Sequence, residues 1–150
     1  MFSDASLVCI VITLFICLCA PAILALVMIF RRKASWKAFV LGIAVFTVFQ
    51  LFTRIPLLGI LQNTGWFVLF EQTNTVAYIL ALAFTAGLFE EGGRFIGMRF
   101  FMKKNLSWNN GIVFGLGHGG IEAFVLVGIP ILMGVMQGDS SIAAAQPYLI

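Results

Sequence analysis

The sequence predicts an all-α fold, a polytopic helical membrane protein with about four transmembrane helices and one interfacial segment. Three observations carry this expectation. Of the 150 residues, 61% are hydrophobic, and the mean hydropathy is +1.07. Charged residues are 10% of the chain, against about 25% in soluble domains, so a water-soluble core could not hide this much apolar surface. The charges also cluster, chiefly in "RRKASWK" and "RFFMKKN", and leave long apolar runs between them. The net charge of +3 is therefore topology information rather than a nucleic-acid footprint. The lipid bilayer is an expected partner; nucleic acid is not.

The elements follow in order. Residues 6–30, "SLVCIVITLFICLCAPAILALVMIF", are uncharged and exceed the roughly 20 residues needed to cross a bilayer. Pro21 should kink this helix, which membrane helices tolerate. The preceding "MFSDAS" has no basic stretch, and the apolar run is too long for a signal peptide, so a retained span is expected. Cys9, Cys17 and Cys19 all fall in this run without metal-like spacing. They read as small apolar residues of a lipid-facing helix.

Residues 36–53, "WKAFVLGIAVFTVFQLFT", form a second span, with Arg54 and Pro56 expected to close it. Residues 55–72 are apolar but broken by Pro, Gly, Gln and Asn, which suggests an interfacial or re-entrant connection. Residues 74–102 make the third span, closed by Lys103 and Lys104. "NLSWNN" is a turn, and residues 110–136 make the fourth span. The tail "QGDSSIAAAQPYLI" is polar and then apolar. The whole chain, 1–150, is expected to form a single membrane-embedded domain.

Charge asymmetry then orients the spans. Arg31, Arg32, Lys33 and Lys37 follow span one, and Arg99, Lys103 and Lys104 end span three. With four spans these two turns share a side. The opposite side holds Arg54, Glu71, Asp4 and Asp139. The positive-inside rule places the basic turns in the cytoplasm. The N-terminus and residues 138 onward are then outside a bacterial cell membrane.

Two stretches conflict with this apolar plan: "GLFEEGGRFIGM" at 87–98 and "FGLGHGGIE" at 114–122. They bring Glu90, Glu91, Arg94, His118 and Glu122 inside predicted spans. A charge at the bilayer centre costs roughly 2.5–3.5 kcal/mol on insertion scales, so such groups are paired, used, or both. Glu91 lies 12 residues before Lys103, and Glu122 lies 12 residues after Asn110. At 1.5 Å per residue both are roughly 18 Å from the same end of their spans. Arg94 and His118 are about 12–14 Å in by the same arithmetic. Gly111, Gly115, His118, Gly119 and Glu122 form one helical stripe, as do Gly87, Glu90, Glu91, Arg94 and Gly97 or Met98. Glycine stripes let membrane helices approach closely, so these are expected to enclose the polar groups.

Glu90 and Arg94 alone could be a buried ion pair that only holds helices together. That leaves two carboxylates and a His unexplained. Two carboxylates crowded into low dielectric share charge poorly, so one is poised to take up and return a proton. Arg or His can stabilise the oxyanion of a tetrahedral intermediate. These are the parts for hydrolysing a peptide bond with glutamate-activated water. The same groups would also serve a proton-linked transporter, or an immunity-like binding subunit that is not an enzyme. Zinc is the less favoured option: Glu91, His118 and Glu122 would be its ligands, but hydrolytic zinc usually takes two or three His. The chain has 1 His, so no resident cofactor is expected.

At these residues the sequence resembles the glutamic intramembrane proteases related to CAAX-processing and bacteriocin-immunity enzymes. Their first motif is EExxxR, their second FxxxH, and a third carries another His. Glu90-Glu91-Gly92-Gly93-Arg94 resembles the first, one residue shorter, and Phe114 to His118 matches the second. The wording "FEEGGRF" and "GHGGIEA" looks most like the YhfC family of intramembrane peptidases. The resemblance implies an endopeptidase acting on a membrane-associated protein or peptide. It implies that Glu90 or Glu91 activates water, that His118 orients the water or stabilises the oxyanion, and that Arg94 holds the glutamates. Glu122 would be a further ligand or hydrogen-bond partner. The missing second His implies a shortened or degenerate member of the family.

Overall fold

The computed structural model describes residues 4–137. The outward placement expected for the first three residues and for residues 138 onward lies outside the described residues. Among the described residues the chain is helical throughout: α1 Asp4–Leu18, α2 Ala20–Arg32, α3 Trp36–Phe46, α4 Ile55–Gln62, α5 Gly65–Thr73, α6 Thr75–Ile96, α7 Trp108–Ala123 and α8 Ile129–Met136. Three π-helical segments, Thr47–Arg54, Gly97–Phe101 and Phe124–Gly128, continue some of these helices. The result is four helices long and apolar enough to cross a membrane: Leu7–Arg32, Trp36–Gln62, Thr75–Phe101 and Trp108–Met136.

The spans agree with the expected 6–30, 74–102 and 110–136, and Pro21 sits in the first turn of α2, just past the break at Cys19. The second span differs. It does not close at Arg54 and Pro56 but runs on to Gln62. The reason is local. Proline lacks an N–H and its ring clashes with the carbonyl four residues back. Here the preceding segment is π-helical, and the Ile55 N–H donates to the Gln50 carbonyl five residues back. The ladder is already shifted when Pro56 enters, at the first turn of α4. Pro130 repeats the arrangement after Phe124–Gly128, where the Ile129 N–H donates to the Phe124 carbonyl. The connection expected at 55–72 thus shortens to a turn and α5, whose 9 residues extend roughly 13 Å, too short to cross.

The described residues divide into two compact units, residues 4–43 with 107–137, and residues 44–106. In the first unit, the N-terminal part of α3 meets α7 backbone to backbone. A Cβ on Gly42 would run into the Phe114 carbonyl, and one on Gly117 into the Phe39 carbonyl. Gly120 likewise leaves room for Pro21, whose Cβ would lie 2.8 Å from an added methyl. Polar bonds tie one end of this unit: the Ser35 N–H donates to Asn110 Oδ1 at 2.7 Å, and Asn109 Nδ2 donates to the Arg32 carbonyl at 3.3 Å. The Ser107 hydroxyl caps α7 by accepting from the Asn110 N–H.

In the second unit, α5 is pinned to α6 by edge-to-face rings, Phe67 and Phe70 each against Tyr78. The π segment Thr47–Arg54 packs on α6 where Gly93 admits the Phe49 ring; a Cβ there would lie 2.8 Å from Phe49 Cγ. Large apolar side chains such as Phe30, Phe52, Phe84, Phe101 and Trp108 point outward. A soluble monomer rarely exposes so much continuous apolar surface; in a bilayer these side chains meet acyl chains.

Candidate functional site

The acidic pair is built on α6, inside the second unit. Glu90 lies two residues past the middle of the helix Thr75–Phe101, where an unpartnered carboxylate would be most costly. It is partnered twice. Arg94 Nη2 donates to Glu90 Oε2 at 3.2 Å, and Gln50 Nε2 donates to Glu90 Oε1 at 3.1 Å. Arg94 Nη1 also pairs with Glu91 Oε1, so one guanidinium bridges both acids. The i, i+3 and i, i+4 spacing of Glu91 and Glu90 to Arg94 puts all three on neighbouring positions of the helix surface.

The bond from Gln50 ties this cluster to the second span. Gln50 is one residue past the middle of Trp36–Gln62 and only 3% exposed. Four residues on, Arg54 Nη1 donates to Gln50 Oε1 at 3.4 Å, and its Nη2 donates to the Leu82 carbonyl of α6 at 3.0 Å. The amide orientation follows from this network. Arg54 can only donate, so it takes the oxygen and leaves the amide nitrogen to Glu90. A relay Leu82, Arg54, Gln50, Glu90, Arg94, Glu91 therefore runs within the second unit.

The sequence pattern closes the second span at Arg54 and Pro56, but in the structure Arg54 lies within a continuous helix, because the π segment carries the helix past Pro56. Gln50 and Arg54 were not among the sequence-predicted site residues. The available signal was an amide in the middle of an apolar span with an Arg one turn later.

The two acids differ in environment. The Glu90 side chain is 26% exposed and has two donors from two helices. The Glu91 side chain is 72% exposed and pairs with Arg94. Glu90 is thus the more firmly oriented carboxylate.

The His-containing stretch belongs to the first unit. His118 is 2% exposed, stacked on Phe114 with ring centroids 6.3 Å apart. Gly42 allows the α3 backbone to lie against the His118 backbone: an added Cβ would be 2.8 Å from the His118 nitrogen. Glu122, the middle residue of Trp108–Met136, follows one turn after His118. The two sequence motifs thus each sit near the middle of a long apolar helix.

The glycine stripes behave differently from expectation. Gly87 and Gly92 on α6, and Gly111, Gly115 and Gly119 on α7, have nothing within 4 Å of an added Cβ. The close approaches are made instead by Gly42, Gly93, Gly117 and Gly120. Small residues permit contact but do not compel it, and the tight positions are those where a backbone or ring already fills the space.

At the acidic pair the Arg94 guanidinium, bridging both acids, already supplies the counter-charge a cation would supply. Among the described residues no three His, Cys, Asp or Glu side chains gather closely enough to hold one ion.

A family model described as "YhfC intramembrane metalloprotease" matches residues 15–146. The chain is also 35% identical over 108 residues to the uncharacterized membrane protein YhfC of Bacillus subtilis (strain 168). That alignment covers 71% of this chain and 42% of the relative, so the chain spans less than half the length of that relative. No solved structure matches the chain.

Proposed function

The chain belongs to the YhfC intramembrane metalloprotease family, and from that premise we propose that it takes part in intramembrane proteolysis through glutamate-activated water. The observation that carries this reading is the Glu90–Arg94–Glu91 cluster near the middle of an apolar helix, held by a buried amide from a second helix. A structural ion pair needs one acid and one base. This cluster spends an Arg, a Gln and a further Arg on fixing two acids, which is the support a preorganised catalytic group requires.

In the proposed reaction, one of the two glutamates removes a proton from water as the water oxygen bonds to the scissile carbonyl carbon. The glutamate then returns that proton to the leaving amine as the C–N bond breaks. Arg94 orients the two acids. His118 orients the water or stabilises the oxyanion, a role that rests on the FxxxH spacing. Glu122, one turn further on the same helix, is a further ligand or hydrogen-bond partner by the same motif resemblance. The substrate is a membrane-associated protein or peptide. The glutamate-type chemistry, and the kinship to CAAX-processing enzymes that goes with it, are part of this proposal. The family's name points to a metal, and a chelator arm separates the two chemistries.

The test is cleavage of quenched transmembrane peptides by the purified full chain in proteoliposomes. Removing a general base typically costs about 10²–10⁴-fold in rate. That loss is expected for the double variant Glu90→Gln/Glu91→Gln and for His118→Ala, with helical content unchanged. Activity that survives phenanthroline supports the glutamate type, whereas loss on chelation assigns a metal. Wild-type rates in both variants would overturn the reading.

A further inference from the structure

The buried amide that holds the acidic cluster contacts only one of its two acids, Glu90. Gln50 lies in the second span, 3% exposed, where a polar side chain without partners is costly. Both ends of its amide are bonded. Its oxygen accepts from Arg54 and its nitrogen donates to Glu90. Arg54 is itself anchored on the Leu82 carbonyl. Leu82 and Glu90 are 8 residues apart on α6, or roughly 12 Å. The pair Gln50 and Arg54 thus staples one helix to the other at two levels.

We propose that Gln50 is a positioning residue for Glu90, oriented in turn by Arg54, and that Glu90 is the glutamate that activates water. This deepens the peptidase reading and rests on it. Glu90 has one donor on each oxygen, from two different helices. Each carboxylate oxygen carries a second lone pair, so holding the group in place leaves it able to accept from water. Glu91 has one donor and an exposed side chain, so its carboxylate is not held to the same tolerance. Arg94 alone would let Glu90 turn about its terminal torsion, which is broad for an sp³–sp² bond. The amide of Gln50 removes that freedom.

The test needs no substrate in its first arm. The full chain in proteoliposomes is treated at pH 6 with dicyclohexylcarbodiimide, which takes up the proton of a carboxylic acid and bonds to its oxygen, so donors that hold a carboxylate in place slow the reaction. Labelling at Glu90 and Glu91 is then read by mass spectrometry. In the wild type Glu90 should label at least about tenfold more slowly than Glu91, a protection expected from two fixed hydrogen bonds. Gln50→Met keeps the side-chain length and removes the donor. It should raise Glu90 labelling about tenfold and leave Glu91 within about twofold, whereas a general loosening of the fold would raise both. Arg54→Met should give a smaller rise at Glu90.

In the second arm, peptide cleavage by Gln50→Met should lose kcat by about 10–100-fold with KM within about twofold, as expected when a group acting in the transition state is misplaced. Equal labelling of the two glutamates in the wild type would overturn the assignment without any variant. So would unchanged Glu90 protection in Gln50→Met. If the labelling pattern holds and no peptide is cleaved, Gln50 still positions Glu90 but the peptidase reading fails. If peptides are cleaved and labelling is equal, the peptidase reading stands and this assignment fails.

Discussion

Gly115 and Gly117 lie two residues apart on α7, and the same substitution should affect them in opposite ways. A methyl on Gly117 meets the Phe39 carbonyl, while one on Gly115 meets nothing within 4 Å. Gly117→Ala should destabilise the protein by about 1–3 kcal/mol, the usual cost of forcing an extra group into a packed contact. Gly115→Ala should be neutral or stabilising by up to about 1 kcal/mol, since Ala loses less backbone entropy in a helix. Thermal unfolding of the two variants in detergent checks both. The acids, Arg94 and His118 were legible in the sequence because charge inside an apolar run is expensive enough to stand out. Gln50 was not, because a neutral amide in a span is cheap enough to pass as a tolerated residue, and its importance appears only when its partner on another helix is known. The glycines misled for a related reason: spacing puts Gly111, Gly115 and Gly119 on one stripe, but only the neighbouring backbone decides which glycines are tight.

Among elements, the π-helical segments deserve comparison with the polar residues. Thr47–Arg54 contains Gln50 and Arg54, Gly97–Phe101 begins three residues after Arg94, and Phe124–Gly128 begins two residues after Glu122. Such segments recur at functional sites in proteins because they re-aim side chains without ending a helix. They also explain why Pro56 does not close the second span as its residue type suggests. Pro56 and Pro130 each follow a ladder already shifted by a π segment, so neither ends its helix. The spans themselves were legible from length and hydropathy alone; the shifts in hydrogen-bond register were not, since no residue type marks them. One element end gives a direct prediction. Asn110→Leu removes the acceptor of the Ser35 N–H, and should cost about 1–3 kcal/mol, the penalty for leaving a part-buried donor unsatisfied. Ser107→Ala, which removes only the cap of α7, should cost about 1 kcal/mol. Chemical unfolding followed by circular dichroism separates the two.

The whole molecule is a membrane protein, with four helices among the described residues long and apolar enough to cross a bilayer. For its orientation we propose the one the positive-inside rule implies, with Arg31, Arg32 and Lys33, and also Lys103 and Lys104, facing the cytoplasm. Single cysteines placed at Ser35 and Asn105, in a background lacking Cys9, Cys17 and Cys19, should both be protected from an impermeant maleimide in intact cells and labelled in inverted vesicles. Labelling of either from outside would reverse the topology. The central claim is hydrolysis by glutamate-activated water, and its most direct measurement is cleavage in H₂¹⁸O. The full chain in proteoliposomes, given a transmembrane peptide, should produce a new C-terminal carboxylate carrying one ¹⁸O. The double variant Glu90→Gln/Glu91→Gln should form that product at least about 100-fold more slowly. The same labelled product at the wild-type rate from the double variant would contradict the account.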